Sequence, residues 1–320
     1  MCRSGSKRKE GIPPVKRSKT DYRGGAAVKL STSAIELEIP TQVGPRVTSL
    51  RSRTGKAGNL FLEFPANEQR FHGYFLRGGH RLWHAPEDIV RTYQPDDDPV
   101  AVRILAKGVA LTQAVEKLTG LQKGLKIELL GERTVKATHT LTNRGAWPVE
   151  CSAWALTMLR PGGHGVLPLH PKGNHEDGDL LPSYALVPWT FTDLSLPLWN
   201  VRRDFVGVDV AKARGAQKLG ITNYPGWSAY WIDGTTFVKY SPVISGAAYP
   251  DLGSCFEVFT NGDLIELETM GPLQRLPAGK TSTHVEYWGV FDGLAKPTTD
   301  AAFTKSLAPA VAAWLKRLPK

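Results

Sequence analysis

The stretch Leu125-Lys126-Ile127-Glu128-Leu129-Leu130-Gly131-Glu132-Arg133-Thr134-Val135-Lys136-Ala137-Thr138-His139-Thr140-Leu141 carries the clearest statement of the fold. Apolar and polar residues alternate on both sides of a break at Gly131 and Glu132, which is the period of half-buried strands. Residues 125–130 and 134–141 therefore read as a β-hairpin, closed at its far end by Asn143-Arg144-Gly145. Working outward, the same grammar begins at about residue 28: short alternating runs cut by Gly, Pro and Asn roughly every 8–12 residues. Residues 34–39 place Ile35, Leu37 and Ile39 on one face and Glu36 and Glu38 on the other. Further strands are expected at 153–159, 229–239, 255–260, 264–269 and 284–291. Helical patterning is confined to the last twenty residues, where Asp300 is placed to cap a segment ending in residues 310–318 and Pro309 to force a break or a fresh first turn. Many strands and few helices predict an all-β fold, a large antiparallel sandwich in which two sheets bury one apolar face each against the other. A doubly wound α/β fold is disfavoured.

The chain has 320 residues, 41% apolar and 22% charged, enough for one large or two ordinary domains. No run approaches the roughly 18 apolar residues of a membrane helix, so no membrane partner is expected. Cys2, Cys151 and Cys255 are too few and too scattered for a disulfide framework or a zinc cluster and read as reduced thiols. The net charge of +10 is lopsided. Residues 1–25 carry eight basic side chains against Glu10 and Asp21, a net +6, and the body is nearly neutral. Residues 1–27 are therefore expected to be a disordered basic tail, 28–295 the sandwich and 296–320 a helical extension. The clusters Lys7 to Lys9 and Lys16 to Lys19 would suit a nuclear import signal in a eukaryote. No apolar segment follows them, so the expected location is otherwise cytoplasmic. A nucleic-acid partner is not expected, because the charge sits in the tail and not on the body.

Phosphate-binding loops, dinucleotide fingerprints, G-x-S-x-G elbows and H-E-x-x-H pairs are all missing. Four places carry chemistry. In Arg77-Gly78-Gly79-His80-Arg81-Leu82-Trp83-His84-Ala85-Pro86-Glu87 two glycines allow a tight turn while arginines, histidines and an indole converge. Such a group suits a sugar, whose hydroxyls want charged donors and whose C–H face packs on an indole; it equally suits a surface turn with Trp83 plugging the core. Leu264-Ile265-Glu266-Leu267-Glu268-Thr269 is a strand with both carboxylates on one face, Cα atoms about 6.6–6.8 Å apart. Its period is that of Glu36 and Glu38, a wet sheet face, so period alone leaves a general base and solvated decoration both open. The loop holding His164, His170, His175, Glu176, Asp177 and Asp179 matches no closed metal geometry, and no metal or other cofactor is expected. Of nine tryptophans, Trp154, Trp189, Trp199, Trp227 and Trp288, with Tyr249, form an aromatic set mostly destined for the core.

The order Val43-Gly44-Pro45-Arg46-Val47, Gly58-Asn59-Leu60-Phe61, the Arg77 stretch, Leu141-Thr142-Asn143-Arg144-Gly145, residues 256–272 and Leu276-Pro277-Ala278-Gly279 resembles the galactose-mutarotase-like superfamily over residues 33–292. The likeness is nearest to an uncharacterised branch of that superfamily. It implies a β-supersandwich whose concave sheet holds the anomeric carbon of a sugar against a late-strand glutamate. Leu267-Glu268-Thr269 stands where the aldose epimerases carry that residue, which makes Glu268 the implied base ahead of Glu266. The family acid, a histidine on the strand after the Thr-Asn turn, is replaced by Ala153-Trp154-Ala155. His80, His84 or His164 would have to substitute, and His80 is the first expectation. Arg77, Arg81, Trp83, His84, Trp154 and Glu266 are the expected sugar contacts. The expected function is aldose 1-epimerase-like ring opening of a saccharide or modified sugar, or else noncatalytic saccharide binding on the same sandwich. His139, on the apolar face of its strand, reads as a satisfied core residue.

Overall fold

The computed structural model describes residues 15–64 and 70–319. The chain is mostly β-sheet, and the named strand pairs among these residues are antiparallel. A ten-stranded sheet runs in the order Trp199–Val201, Phe205–Asp209, His164–Pro168, Trp227–Ile232, Thr235–Tyr240, Thr281–Asp292, Thr134–Asn143, Leu121–Gly131, Gly108–Thr112 and Ala101–Leu105. The hairpin expected at 125–141 sits in it, with Leu125 opposite His139 and Ile127 opposite Ala137. An eight-stranded sheet runs in the order Leu186–Pro188, Gln217–Ile221, Phe256–Thr260, Ile265–Met270, Val149–Leu159, His80–Ala85 and Arg46–Val47, with Gln274–Leu276 paired to Val149–Leu159. A smaller four-stranded sheet adds Lys16–Tyr22, Gly25–Ser31, Ile35–Pro40 and Ser49–Ser52.

The two large sheets bury their inner faces together. Phe61 packs edge-on to Phe237 at 5.7 Å and to Trp288 at 5.9 Å, with Ile265, Leu267 and Val258 in the same cluster. Alternation sends Val238 and Tyr287, the neighbours of Phe237 and Trp288, to the opposite face. There Phe303, Leu307, Val311 and Trp314 of the C-terminal helical segment cover them.

Three expectations need correction. Residues 229–239 are two strands and not one, because Asp233-Gly234 takes positive φ at both positions and turns the chain. The helical segment is capped by Thr299, whose hydroxyl accepts from the Ala302 amide at 3.2 Å, so Asp300 is its first residue. Pro309 stands at the start of a fresh α-helix, Ala308–Leu315, after a wide π-helical turn. The tail boundary at 27 also moves: Lys16–Tyr22 is a solvent-facing edge strand paired with Gly25–Ser31. Its charged side chains face water while its backbone hydrogen bonds are met by the neighbour. The cluster Lys7 to Lys9 lies outside the described residues. Among the described residues no helix is long and apolar enough to cross a membrane.

Candidate functional site in the concave sheet

Antiparallel register brings one face of the eight-stranded sheet together row by row. Arg81 pairs with Leu156, Leu156 with Glu268, and Glu268 with Glu257. Two residues along, Met158 pairs with Glu266, Glu266 with Phe259, and Phe259 with Lys218. Two residues the other way, Trp83 pairs with Trp154 and Trp154 with Met270. All of these residues except Glu257 and Met270 line the floor of a cavity of about 430 Å³ that Trp189, Tyr93, Glu87, Phe71 and Phe191 help to enclose. Glu268 and the Arg81–Trp83 corner thus face the same hollow, two strands or about 9–10 Å of backbone apart.

A strained turn sets the register of the strand His80–Ala85. Gly78 and Gly79 have φ of +81° and +71°, and a Cβ on either would stand 2.1 Å from the Leu62 carbonyl oxygen or 2.3 Å from that of Val47. Arg46, fully buried, donates to the Gly78 carbonyl at 3.0 Å and to Asp96 at 2.5 Å. Once the turn is pinned, period two decides the rest: Arg81 and Trp83 look into the cavity, and His80 and His84 look between the sheets.

Glu268 is 1% exposed. Its Oε2 accepts from the Trp154 indole at 2.7 Å and from the Lys218 ammonium at 3.0 Å, while its Oε1 has no protein partner. Lys218 also pairs with Glu257 at 2.8 Å and lies 4.6 Å from the Trp154 ring centre and 4.8 Å from that of Trp189. Burial works to lower the Lys218 pKa, but Glu257 and Glu268 outweigh it and hold the ammonium above its ordinary value. Burial raises the Glu257 carboxyl well above the usual range, Lys218 notwithstanding. Burial likewise raises Glu266, against the pull of Arg81, whose Nη2 donates to it at 3.1 Å. Arg81 stacks 4.1 Å over the Trp83 ring. Its Nε and Nη1, and the Trp83 indole nitrogen, have no protein partner. Donors at one end of the floor and an acceptor at the other are therefore buried without a protein partner. That is the complement of a ligand dense in hydroxyls, and buried polar atoms are costly without such partners.

The other expected residues lie elsewhere. Arg77 pairs with Asp97 at 2.6 Å and Asp96 at 3.4 Å and does not line the cavity. His84 is buried on the far face of its strand; burial, then Lys123 nearby, lowers it to about 4. His164 is buried in the strand His164–Pro168 of the opposite sheet, lowered to about 4 by burial. Of the rest of that loop, His170 is half-buried, and His175, Glu176, Asp177 and Asp179 are exposed.

His80 belongs to a separate buried network behind the floor. Lys239 donates to Thr157 Oγ1 at 3.1 Å; the His284 carbonyl can only accept, so neutral His139 donates from Nδ1 and accepts at Nε2, which leaves His80 Nδ1 to accept from the Thr157 hydroxyl at 2.9 Å. His80 Nε2–H then donates to His139 Nε2 at 2.7 Å, and His139 Nδ1–H to the His284 carbonyl at 3.2 Å. Lys239 also donates to the Ala155 and Leu267 carbonyls, at 2.8 and 2.9 Å, and pairs with Glu286 at 2.8 Å. Burial keeps His80 and His139 below their ordinary values and His284 at about 3. Glu286 falls below the carboxylate range, because Lys239 and the histidines overcome its burial. His80, His139 and Glu286 have ligand-type atoms within 4.8 Å of one another, but the Lys239 ammonium already supplies the cation against Glu286. His139 is thus a satisfied core residue.

The sequence reading missed Lys218, Glu257 and Tyr93. Lys218 and Glu257 are single charges inside otherwise uncharged strands, Gln217–Ile221 and Phe256–Thr260, and that pattern is itself a signal that a charge is buried and paired.

No protein-family model and no curated protein matches the sequence. Solved structures do share its architecture. A galactose mutarotase-like protein from Lactobacillus casei superposes with a TM-score of 0.56 at 10% identity, over 83% of this chain and 100% of that one. A galactose mutarotase-like protein from Clostridium acetobutylicum gives 0.55 at 12% identity, over 88% and 99%. A TPR-domain containing protein from Parabacteroides distasonis gives 0.55 at 13% identity, over 84% of this chain and 47% of that one, so the chain spans about half its length. Identity this low carries the architecture alone: the chain is a β-supersandwich of the galactose-mutarotase-like fold.

Proposed function

We propose that the cavity binds a saccharide and interconverts its anomers by acid–base ring opening. The observation that carries this reading is that Glu268, with one carboxylate oxygen lacking a protein partner, lines an aromatic-walled cavity together with Arg81 and Trp83, which carry unpartnered donors. Trp154 and Lys218 fix the other carboxylate oxygen and so orient Oε1. Glu268 takes the proton of the anomeric hydroxyl as the C1–ring oxygen bond breaks, its electrons going to the ring oxygen, which takes a proton from Glu266. The open-chain aldehyde rotates about C1–C2, and both transfers reverse as the ring closes on the other face. Glu266 takes the acid role expected of His80, because its carboxyl lines the cavity and burial keeps its proton on to higher pH. Arg81 and Trp83 hold hydroxyls and the C–H face of the ring.

Exchange between α and β anomers, followed by NMR across a panel of aldoses, tests this. Glu268→Gln should lower the catalysed rate by about 10²–10⁴; equal rates for the two proteins would remove the enzyme reading. Noncatalytic saccharide binding is favoured by the engagement of Glu268 Oε2 with Trp154 and Lys218, which already occupies one oxygen of the carboxylate. Saccharide affinity retained without any exchange would select it.

A further inference from the structure

The buried charged groups of the cavity, Arg81, Lys218, Glu266 and Glu268, lie on its floor, while Glu87 and Asn261 are exposed at its edge. Its boundary with solvent also carries aromatic side chains. Phe71 and Phe191 line the same cavity, yet they are 45% and 47% exposed, so each phenyl side chain is partly open to water. They come from separate segments, one next to Tyr93 in a ring contact of 4.9 Å, the other two residues beyond Trp189. A single sugar ring engaged by Glu268 and Arg81 on the floor leaves these outer rings uncovered. A cavity of about 430 Å³ lies in the range that takes ligands larger than one small ring.

We infer that the preferred ligand is a reducing oligosaccharide, whose terminal ring occupies the polar floor and whose second ring stacks on the Phe71 and Phe191 rim. This rests on the saccharide reading above. Glu268 acts on a free anomeric hydroxyl, so the extension leaves from another carbon of the terminal ring. An aglycone on the anomeric carbon would block the chemistry. The C–H face of a second pyranose is the flat apolar surface that exposed phenyl rings accept, and its hydroxyls stay in water.

The experiment is a titration of the full-length protein, read by the fluorescence of Trp83, Trp154 and Trp189. The probes are glucose, galactose, maltose, cellobiose, lactose and p-nitrophenyl glucoside. At least one reducing disaccharide should bind at least about tenfold more tightly than its constituent monosaccharides, a difference of about 1.4 kcal/mol. That ratio should fall below about threefold in Phe71→Ala or Phe191→Ala, both exposed positions whose folding is checked by circular dichroism. Equal affinity for mono- and disaccharides would overturn the inference while leaving the saccharide reading in place. So would a disaccharide advantage that survives in both variants, or an aryl glucoside that matches the best disaccharide. Failure of every sugar to bind would remove both.

Discussion

The strands Ile35–Pro40 and Ile265–Met270 carry the same pattern, two glutamates spaced by one aliphatic residue, and end in different chemistry. In the first, Glu36 and Glu38 are half-buried, and Glu36 meets Lys29 at 3.2 Å near water. Beneath them Ile35, Leu37 and Ile39 rest on aliphatic core. In the second, Glu266 and Glu268 lie in a cavity with Arg81 and Lys218, and the strand beneath them is held by a charge. Lys239 reaches across from the other sheet to the carbonyls of Leu267 and Ala155, one on each of the two strands that form the middle of the floor. Alternation decides only which side chains share a face. What a glutamate does there is decided by the strands on either side and by the layer behind.

The largest expected effect breaks that support. Lys239→Met leaves Glu286 charged and unpaired in the core and releases both carbonyls, and should cost about 3–5 kcal/mol in denaturant unfolding. A cost below about 1 kcal/mol would mean that the strand does not depend on its polar backing, and the contrast with Ile35–Pro40 would lose its basis.

A pH titration of stability sharpens the contrast further. His284 binds a proton near pH 6.5 when unfolded and only at about 3 when folded, where Thr269, Glu286 and His139 face it. Between those values the unfolded chain holds more protons, so this contribution to stability is present above pH 6.5 and is lost as pH falls through the window. The slope is up to about 1.4 kcal/mol per pH unit for each such histidine. Glu286, depressed in the fold, works in the same direction below its ordinary 4.5. Glu266 works the opposite way: its raised carboxyl adds stability below 4.5 that is lost as pH rises through its folded value. His284→Gln should therefore flatten the fall in stability between pH 6.5 and 4 by about one histidine's share, measured by urea unfolding at each pH. An unchanged slope would mean that the inner network is not protected from protons.

The smallest effect belongs to the other strand. Glu36→Gln removes a solvent-screened pair and should change stability by no more than about 0.5 kcal/mol. A larger loss would show that the two glutamate strands differ less than their surroundings suggest.

Much of the architecture was legible. The hairpin at 125–141, the late strands and the terminal helical segment follow from period two, turn residues and a proline, all local in origin. The pairing of Glu268 with the Arg81 corner came from the resemblance, while the misplacement of His80 came from treating a glycine turn and the strand after it as one unit. Counting by twos from Arg81 already sends residue 80 to the opposite face. Lys218 and Glu257 were legible only as oddities, since nothing local says which carboxylate a buried lysine will meet.

What the chain determines by itself is the alternation: which residues extend, where they turn and which share a side. What tertiary structure alone decided is the company each side chain keeps. Arg81, Lys218 and the hairpin pair Glu257 and Glu268 come from three separate stretches of sequence, and only the strand order of the sheet sets them in adjoining rows. The reason is that backbone hydrogen bonding makes strands with any side chains compatible neighbours, whereas burying a charge is tolerable only where the neighbouring strand brings its opposite.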